Sequence, residues 1–452
     1  MTAAQAADAQ VDTWTSRAEM PTARESVAAC AIDGYIYAIG GFPGRSDPGI
    51  AVNERYDPEA NAWTTMQPMP TGRRMPATGV VDGKCYVIGG RFTDGLAAIS
   101  VVEVYDPSTD SWESRQRMPT SRYGHSAAVV DGIIYVFGGT NNGVIYSSVL
   151  AYDPQADTWS TLGTAPGPAR ALMGAAALGS KVYVMGGTVD GMATRYTRLD
   201  IYDPASDSWS SGANMPYGRY SLQAGALNGR VYAIGGADGP DALKNVAAYD
   251  PSTDSWSALT DMITQRARFA LAVSGGQIYA IGGSIKFGNP HVGMNLVERY
   301  TPQPGSSTFS INPGISDAWF NPLTAGQGLL ISVFPDLQQM FVAWFTYDLE
   351  RPAEDVEADL GEPGHRWLTA QGPYSGDTAT LTLFNTAGGV FDAAEPAAST
   401  DPGGAGEMTI EFADCEDGLV SYDLPSLGIS GQIPIQRITA DNVARCQDLA
   451  TP

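Results

Sequence analysis

The stretch Asp131-Gly-Ile-Ile-Tyr-Val-Phe-Gly-Gly139 decides the fold. Its centre, Gly132-Ile-Ile-Tyr-Val-Phe137, is short, β-branched and apolar throughout, as a strand buried on both faces is. Asp131-Gly132 is a two-residue hairpin signal that opens it, and Asp33-Gly34, Asp82-Gly83 and Asn228-Gly229 are its equivalents. Gly138-Gly139 ends it where the backbone must turn closely past a neighbour.

That unit recurs. The Gly pair occurs at Gly40, Gly89, Gly138, Gly186, Gly235 and Gly282, with spacings of 49, 49, 48, 49 and 47 residues. A tyrosine stands before each pair with two residues between: Tyr37, Tyr86, Tyr135, Tyr183, Tyr232 and Tyr279. A Tyr-Asp-Pro follows, starting at Tyr56, Tyr105, Tyr152, Tyr202 and Tyr249, with the variant Tyr300-Thr-Pro302. Trp14, Trp63, Trp112, Trp159, Trp209 and Trp256 keep the same period and read as core. Proline ends the third strand, and the polar stretch after it turns into a fourth, Trp-bearing strand. Four antiparallel strands repeated six times make an all-β, six-bladed β-propeller over residues 11–302. The last repeat has no Asp-x-Trp strand of its own, whereas the chain begins with Val11-Asp-Thr-Trp14. The N-terminal strand is therefore expected to complete the sixth blade, hiding both edges of an open ring.

With the Gly-Gly, Tyr and Trp at these spacings, the chain resembles the kelch repeat family over about two-thirds of its length. The departures are small: Ala165-Pro166 and Met262-Ile263 replace the Met-Pro that precedes the other inner strands. After each of those dipeptides comes an arginine: Arg24, Arg73, Arg122, Arg170, Arg219 and Arg266. The next strand of a propeller lines the central channel, so these side chains would ring one mouth. The resemblance implies a binding role for such arginines, toward acidic peptides or carboxylated ligands, and a guanidinium fork suits a carboxylate. A residue present in every blade also suits a scaffold role, pairing with the repeat itself. Arg74, Tyr123, His125, Tyr220 and Arg268 break the symmetry beside that ring, as an off-centre ligand requires. The long connections after each Gly-Gly are loops on a rigid ring, where specificity usually resides.

Composition excludes several classes. The chain has 452 residues, 26 Lys+Arg against 49 Asp+Glu, and a formal net charge of −23. Phosphate contact needs a basic face, so no nucleic-acid partner is expected. No run of 18 apolar residues offers a membrane span. The 52 Gly and 30 Pro suit many short strands and argue against long helices. Four cysteines without a CxxC pair, and His125, His291 and His365 far apart, do not suggest a metal site. The copper set of galactose oxidase–like kelch enzymes needs two Tyr and two His, and only His125 and His291 fall in the propeller. No cofactor is expected. Cys415 and Cys446 read as a disulfide worth about 3 kcal/mol, which implies an oxidising compartment. Cys30 and Cys85 read as small buried apolar residues. Residues 1–10 lack the basic and apolar regions of a signal peptide and read as a disordered start of a mature secreted chain.

Beyond Pro302 the repeat stops. Residues 303–308 read as a linker, and 309–452 as an acidic C-terminal β domain. Residues 303–452 hold 4 basic and 21 acidic side chains, against 22 and 28 before them. Eight candidate strands are Ala318–Phe320, Gly328–Phe334, Met340–Tyr347, Trp367–Gln371, Ala379–Phe384, Glu407–Phe412, Leu419–Tyr422 and Gln432–Arg437, which suit a small antiparallel barrel or sandwich. Its Trp-Phe-containing segments resemble a module at the ends of secreted bacterial proteins. If a barrel closes, Trp319 and Arg437 meet as a cation–π pair, as in lipocalin-type barrels; otherwise they are a core Trp and a surface Arg. Glu350–Glu362 and Asp414–Asp417 lack EF-hand spacing and read as solvated acidic surface.

The sequence thus points to an extracellular or periplasmic, monomeric binding protein. Its expected partner at the propeller mouth is a carbohydrate, an acidic small molecule or a protein. The kelch resemblance implies one enzymatic alternative, a sugar epimerase like the six-bladed sialic acid mutarotases. That reaction needs an acid/base pair and an anchor for the anion, and no catalytic residue is singled out by the sequence.

Overall fold

The computed structural model describes residues 12–44, 49–92, 97–189, 193–286, 293–302, 311–320, 328–347, 365–387, 399–400, 406–412, 415–425, 429–438, 443 and 445–446. The chain divides into two units between Gln303 and Pro304. The expected disordered start at 1–10 and linker at 303–308 lie outside the described residues, as does Glu350–Glu362.

The first unit is a six-bladed propeller of four-stranded antiparallel sheets. Blade 1 runs outward as Ala28–Ile32, Tyr35–Ile39, Asn53–Asp57 and Ala62–Met66. The second strand is buried along its length because neighbouring blades cover both faces, which explains its unbroken apolar run. The innermost strands of all six blades line a central channel of about 390 Å³, rich in Ala, Gly and Val. Small side chains belong there because six strands converge on one axis.

The N-terminal strand closes the ring as expected. Blade 6 is Ala270–Ser274, Gln277–Ile281, Val297–Thr301 and then Thr13–Arg17. Trp14 pairs with Tyr300, and its Nε1 donates to the Thr260 carbonyl at 3.0 Å. In blade 1 the Tyr56 hydroxyl donates to Asn61, five residues on, at 2.6 Å. The Tyr300 hydroxyl makes the same bond, at 2.6 Å, to Asp12. Asp12 and Asn61 share a left-handed backbone, at φ 53° and 50°. The closing joint is thus an ordinary blade whose two halves lie at opposite ends of the propeller sequence.

The cysteine reading needs one correction. Cys30 and Cys85 are not two buried thiols but a disulfide. It ties the inner strand of blade 1 to the second strand of blade 2, Lys84–Ile88, across the blade interface. Their different places in the repeat hid the pairing, because adjacent blades pack an inner strand against a neighbour's second strand. A crosslink over 55 residues stabilises by about 4 kcal/mol in the loop-entropy picture. The expected Cys415–Cys446 bridge is present.

The second unit is a closed eight-stranded antiparallel barrel. Its strands are Asp317–Phe320, Gly328–Phe334, Gln339–Tyr347, His365–Ser375, Thr378–Ala387, Gly406–Phe412, Asp417–Leu424 and Ile429–Arg437. Two pairings close it: the first strand with the last, and His365–Ser375 with Thr378–Ala387. Trp319 lies opposite Arg437, whose guanidinium stands 5.0 Å from the indole. Arg437 is buried, donating to the carbonyls of Cys415 and Gly314 and pairing with Asp317 at 2.6 Å. The barrel therefore settles the alternative: the pair is a buried cation–π contact at the seam. No helix is long and apolar enough to cross a membrane among the described residues.

The closure has a direct check. Trp14→Ala is expected to cost about 3–5 kcal/mol of propeller stability, as much as Trp63→Ala inside blade 1. Urea melts of the two variants read this, and a near-silent Trp14→Ala would mean that the ring does not close there.

Candidate ligand site at the channel mouth

The six arginines of the repeat lie inside the blades, each between 0% and 3% exposed. Arg73 shows the pattern: its guanidinium donates to the carbonyls of Gly89 and Val101 and pairs with Glu103. Arg24 pairs with Glu54 at 2.6 Å, Arg170 with Asp200, and Arg266 with Glu298. Arg122 has no carboxylate; it donates to the Ser148 hydroxyl and stacks on Tyr146. Arg219 donates to the carbonyls of Gly235 and Asn245. Burial pushes all six guanidinium groups below their ordinary value, and for Arg24, Arg73, Arg170 and Arg266 the paired carboxylate opposes it.

The same arginines join the blades through their backbone. The second glycine of each pair donates to the carbonyl of the arginine in the next blade at 2.8–3.0 Å, from Gly41 to Arg73 around to Gly283 to Arg24. The first glycine lies so close to that carbonyl that a Cβ would come within 2.8 Å of it, and its φ is positive in every blade. Only glycine fits there. Two residues after each arginine, the backbone turns left-handed: Ser26, Met75, Gly124, Leu172, Ser221 and Arg268 have φ of 52–61°. The N–H of each donates to the carbonyl of its counterpart in the preceding blade, and Ser26 returns to Arg268, at 2.6–3.3 Å. Six hydrogen bonds thus form an unbroken collar at one mouth of the channel.

On this symmetric collar the side chains are not symmetric. The residues directly after the arginines are Glu25, Arg74, Tyr123, Ala171, Tyr220 and Ala267. Arg74 forms an antiparallel bridge with Arg91. Its guanidinium stacks on Phe42 at 4.4 Å, and that of Arg91 stacks on Tyr123 at 4.5 Å. Arg268 reaches across from blade 6 to Glu25 at 3.1 Å. Arg74 is pushed down to about 10, by burial first and then by Arg91 and Arg268, with Glu25 and Tyr123 opposing. Burial and Arg268 also push Arg91 down, against Tyr123 and Glu25. Among the described residues, three part-buried cations thus gather around one buried carboxylate, on the side of the mouth formed by blades 1, 2, 3 and 6.

The expected asymmetric residues divide. Arg74, Tyr123 and Arg268 come together here. Tyr220 is fully buried, its hydroxyl donating to the Gly239 carbonyl at 2.6 Å beneath the blade 5 loop, and burial raises its pKa. His125 is buried under the collar, with Nε2 3.1 Å from the Ile88 carbonyl and Nδ1 unpartnered. Arg91, Glu25 and Phe42 were not among the expected residues. Arg91 and Phe42 each directly follow a Gly-Gly, and Glu25 directly follows Arg24, so position in the repeat was the available signal. No group of three potential metal-ligating side chains gathers among the described residues.

Two family descriptions match the propeller. The KLHDC2/KLHL20/DRC7 Kelch-repeats domain covers residues 78–283, and the Kelch motif covers 23–70 and 265–307. The propeller is a kelch-repeat domain. The solved structure of YjhT is similar to it at 20% identity with a TM-score of 0.53, covering 62% of this chain and 96% of that one. At that identity the likeness shows the kelch propeller fold alone. No curated protein matches the chain.

His125 gives the kelch propeller a pH dependence. Burial, then Arg122, lowers its pKa to about 3, with the Ile88 hydrogen bond opposing. An unfolded histidine titrates near 6.5, so between these values the unfolded chain holds the extra proton. Stability falls as pH falls through that window, by about 1.4 kcal/mol per pH unit from this group. His125→Gln is expected to remove that slope, so its denaturant midpoint gains on the parent's as pH drops from 7 to 4. Parallel pH curves would contradict the assignment.

Proposed function

We propose that the protein is a secreted or periplasmic binding protein. Its ligand is anionic, a carboxylated carbohydrate or an acidic segment of a protein partner, held at the kelch mouth by Arg74, Arg91 and Arg268. The observation that carries this reading is the imbalance of charge among the described residues: the guanidinium groups of Arg74, Arg91 and Arg268 gather around one carboxylate, Glu25. Part-buried cations gathered this closely repel one another, as Arg91 and Arg268 act on Arg74, and an incoming carboxylate relieves that repulsion while gaining charge-assisted hydrogen bonds. Phe42 and Tyr123 hold two of the forks flat, which lowers the ordering cost of binding. The six buried arginines of the repeat act as the frame beneath this surface. Both disulfides suit an oxidising compartment. The acidic barrel serves as an accessory or attachment module.

Glu25 favours a second reading, sugar epimerisation, because it places one acid/base group 3.1 Å from an anion anchor. NMR of an acidic sugar separates the two. Line broadening without faster exchange between anomers means binding alone, and accelerated exchange lost in Glu25→Gln means catalysis.

An array of glycans and acidic peptides tests the site. Each of Arg74→Gln, Arg91→Gln and Arg268→Gln is expected to weaken the bound ligand about 10-fold or more, and added salt to weaken the parent protein in step. Arg115→Gln, on the outer strand Ser111–Arg115, is expected to change nothing. Binding that survives all three mouth substitutions would move the site elsewhere.

A further inference from the structure

The six blades serve as internal controls for one another. The second residue of the third strand supplies the buried carboxylate in four of them: Glu54, Glu103, Asp200 and Glu298, each paired with its blade's arginine. The two exceptions at the equivalent place, two residues before the Tyr-Asp-Pro tyrosine, are Leu150 and Ala247. Blade 3 compensates for Leu150. Its Arg122 uses the Ser148 hydroxyl for Nη2, the Thr120 hydroxyl for Nε and the Tyr146 ring for its face.

Blade 5 does not compensate. Arg219 is fully buried, and only its Nη1 is satisfied, by the carbonyls of Gly235 and Asn245 at 3.1 and 3.0 Å. Its Nη2 and Nε have no hydrogen-bond partner. Leu243 occupies the place where blade 3 has Tyr146. Asp261 is the carboxylate that acts most on Arg219, but its oxygens are engaged by Lys244 and by the Asn245 amide, each at 3.4 Å. Burial pushes Arg219 down to about 10, with Tyr217, Asp261 and Asp238 opposing. A guanidinium stays charged even so, and a buried charge with two unmet donors is strongly unfavourable unless an anion meets them. Ala247 is itself buried and ends at Cβ, so the carboxylate of the sibling blades has been deleted with no described side chain in its place.

We infer that blade 5 holds a small inorganic anion, chloride, on Arg219 Nη2 and Nε beside Ala247, in the position that a carboxylate fills in four sibling blades. A fully buried fork excludes a peptide or sugar and admits an ion that sheds its water. The site is separate from the ligand mouth and independent of the function proposed there. It makes the stability of the propeller depend on the halide, because an ion that binds only the folded state stabilises it by mass action.

The experiment is thermal melting of the full chain in sodium chloride and in sodium gluconate, whose anion is too large to enter, at equal ionic strength. Chloride is expected to raise the propeller transition saturably by about 2–4 °C. Ala247→Glu, which restores the sibling ion pair, is expected to melt higher in gluconate and to lose the chloride response. A crystal of the unaltered protein grown in sodium bromide supplies a readout that does not depend on the variant folding. An anomalous peak is expected within hydrogen-bonding distance of Arg219 Nη2. Coincident melts in the two salts, a chloride response that survives in Ala247→Glu, or water without anomalous signal at Nη2 would each overturn the proposal.

Discussion

Each blade is fastened to the next by two backbone hydrogen bonds that involve one short segment. The second glycine of a pair donates to the carbonyl of the following arginine, and two residues later a left-handed residue donates to its counterpart one blade back. Twelve such bonds run around the ring, each worth about 1 kcal/mol net when made and more if left broken in a buried place. Everything else near the axis follows from them. The first glycine of each pair cannot be replaced because the arginine carbonyl fills the space of a Cβ. The arginine backbone is pinned between blades, so its side chain turns back into its own blade. There it meets the carbonyl of the first glycine in most blades and, in four, a carboxylate. The repeat is a closed circuit of donors and acceptors, with no blade at an end.

That circuit separates frame from surface. The glycine and arginine positions of the circuit are the same in all blades and carry no information about a ligand, whereas the left-handed position joins it through its backbone alone and its side chain varies. Positions adjacent to it are free to differ, and they do. Arg74, Arg91, Arg268 and Glu25 gather on one side of the mouth, while Ala171 and Ala267 leave other parts of the rim bare and Tyr220 is sealed beneath its loop. A rigid collar with a lopsided charge distribution is suited to holding an off-centre anion. The same logic applies inside the blades. Four arginines receive an acid, a fifth receives a hydroxyl and an aromatic ring, and the sixth, Arg219, keeps two donors unmet.

The blade pattern was legible because each of its signals has a local cause. A strand covered on both faces must be apolar, a tight hairpin needs Asp-Gly or Asn-Gly, and an orphan Asp-x-Trp at the start of the chain needs a partner. The eight strands of the barrel were legible for the same reason, and the closing pair of Trp319 with Arg437 followed once a seam was assumed. The Cys30–Cys85 bridge was not legible. Spacing along the chain does not say which strands of adjacent blades face each other. Nor did the spacing place Arg91 beside Arg74, since 16 residues and a full hairpin lie between them.

What the sequence by itself determined is the period, the number of blades and the strand that closes them, because hydrophobic pattern and turn chemistry act over a few residues. Only the tertiary structure decided the direction of each side chain on the ring. Whether an arginine faces a ligand or a carbonyl depends on which backbone groups of the next blade arrive unpaired. That is fixed by the ring as a whole and by no single repeat within it.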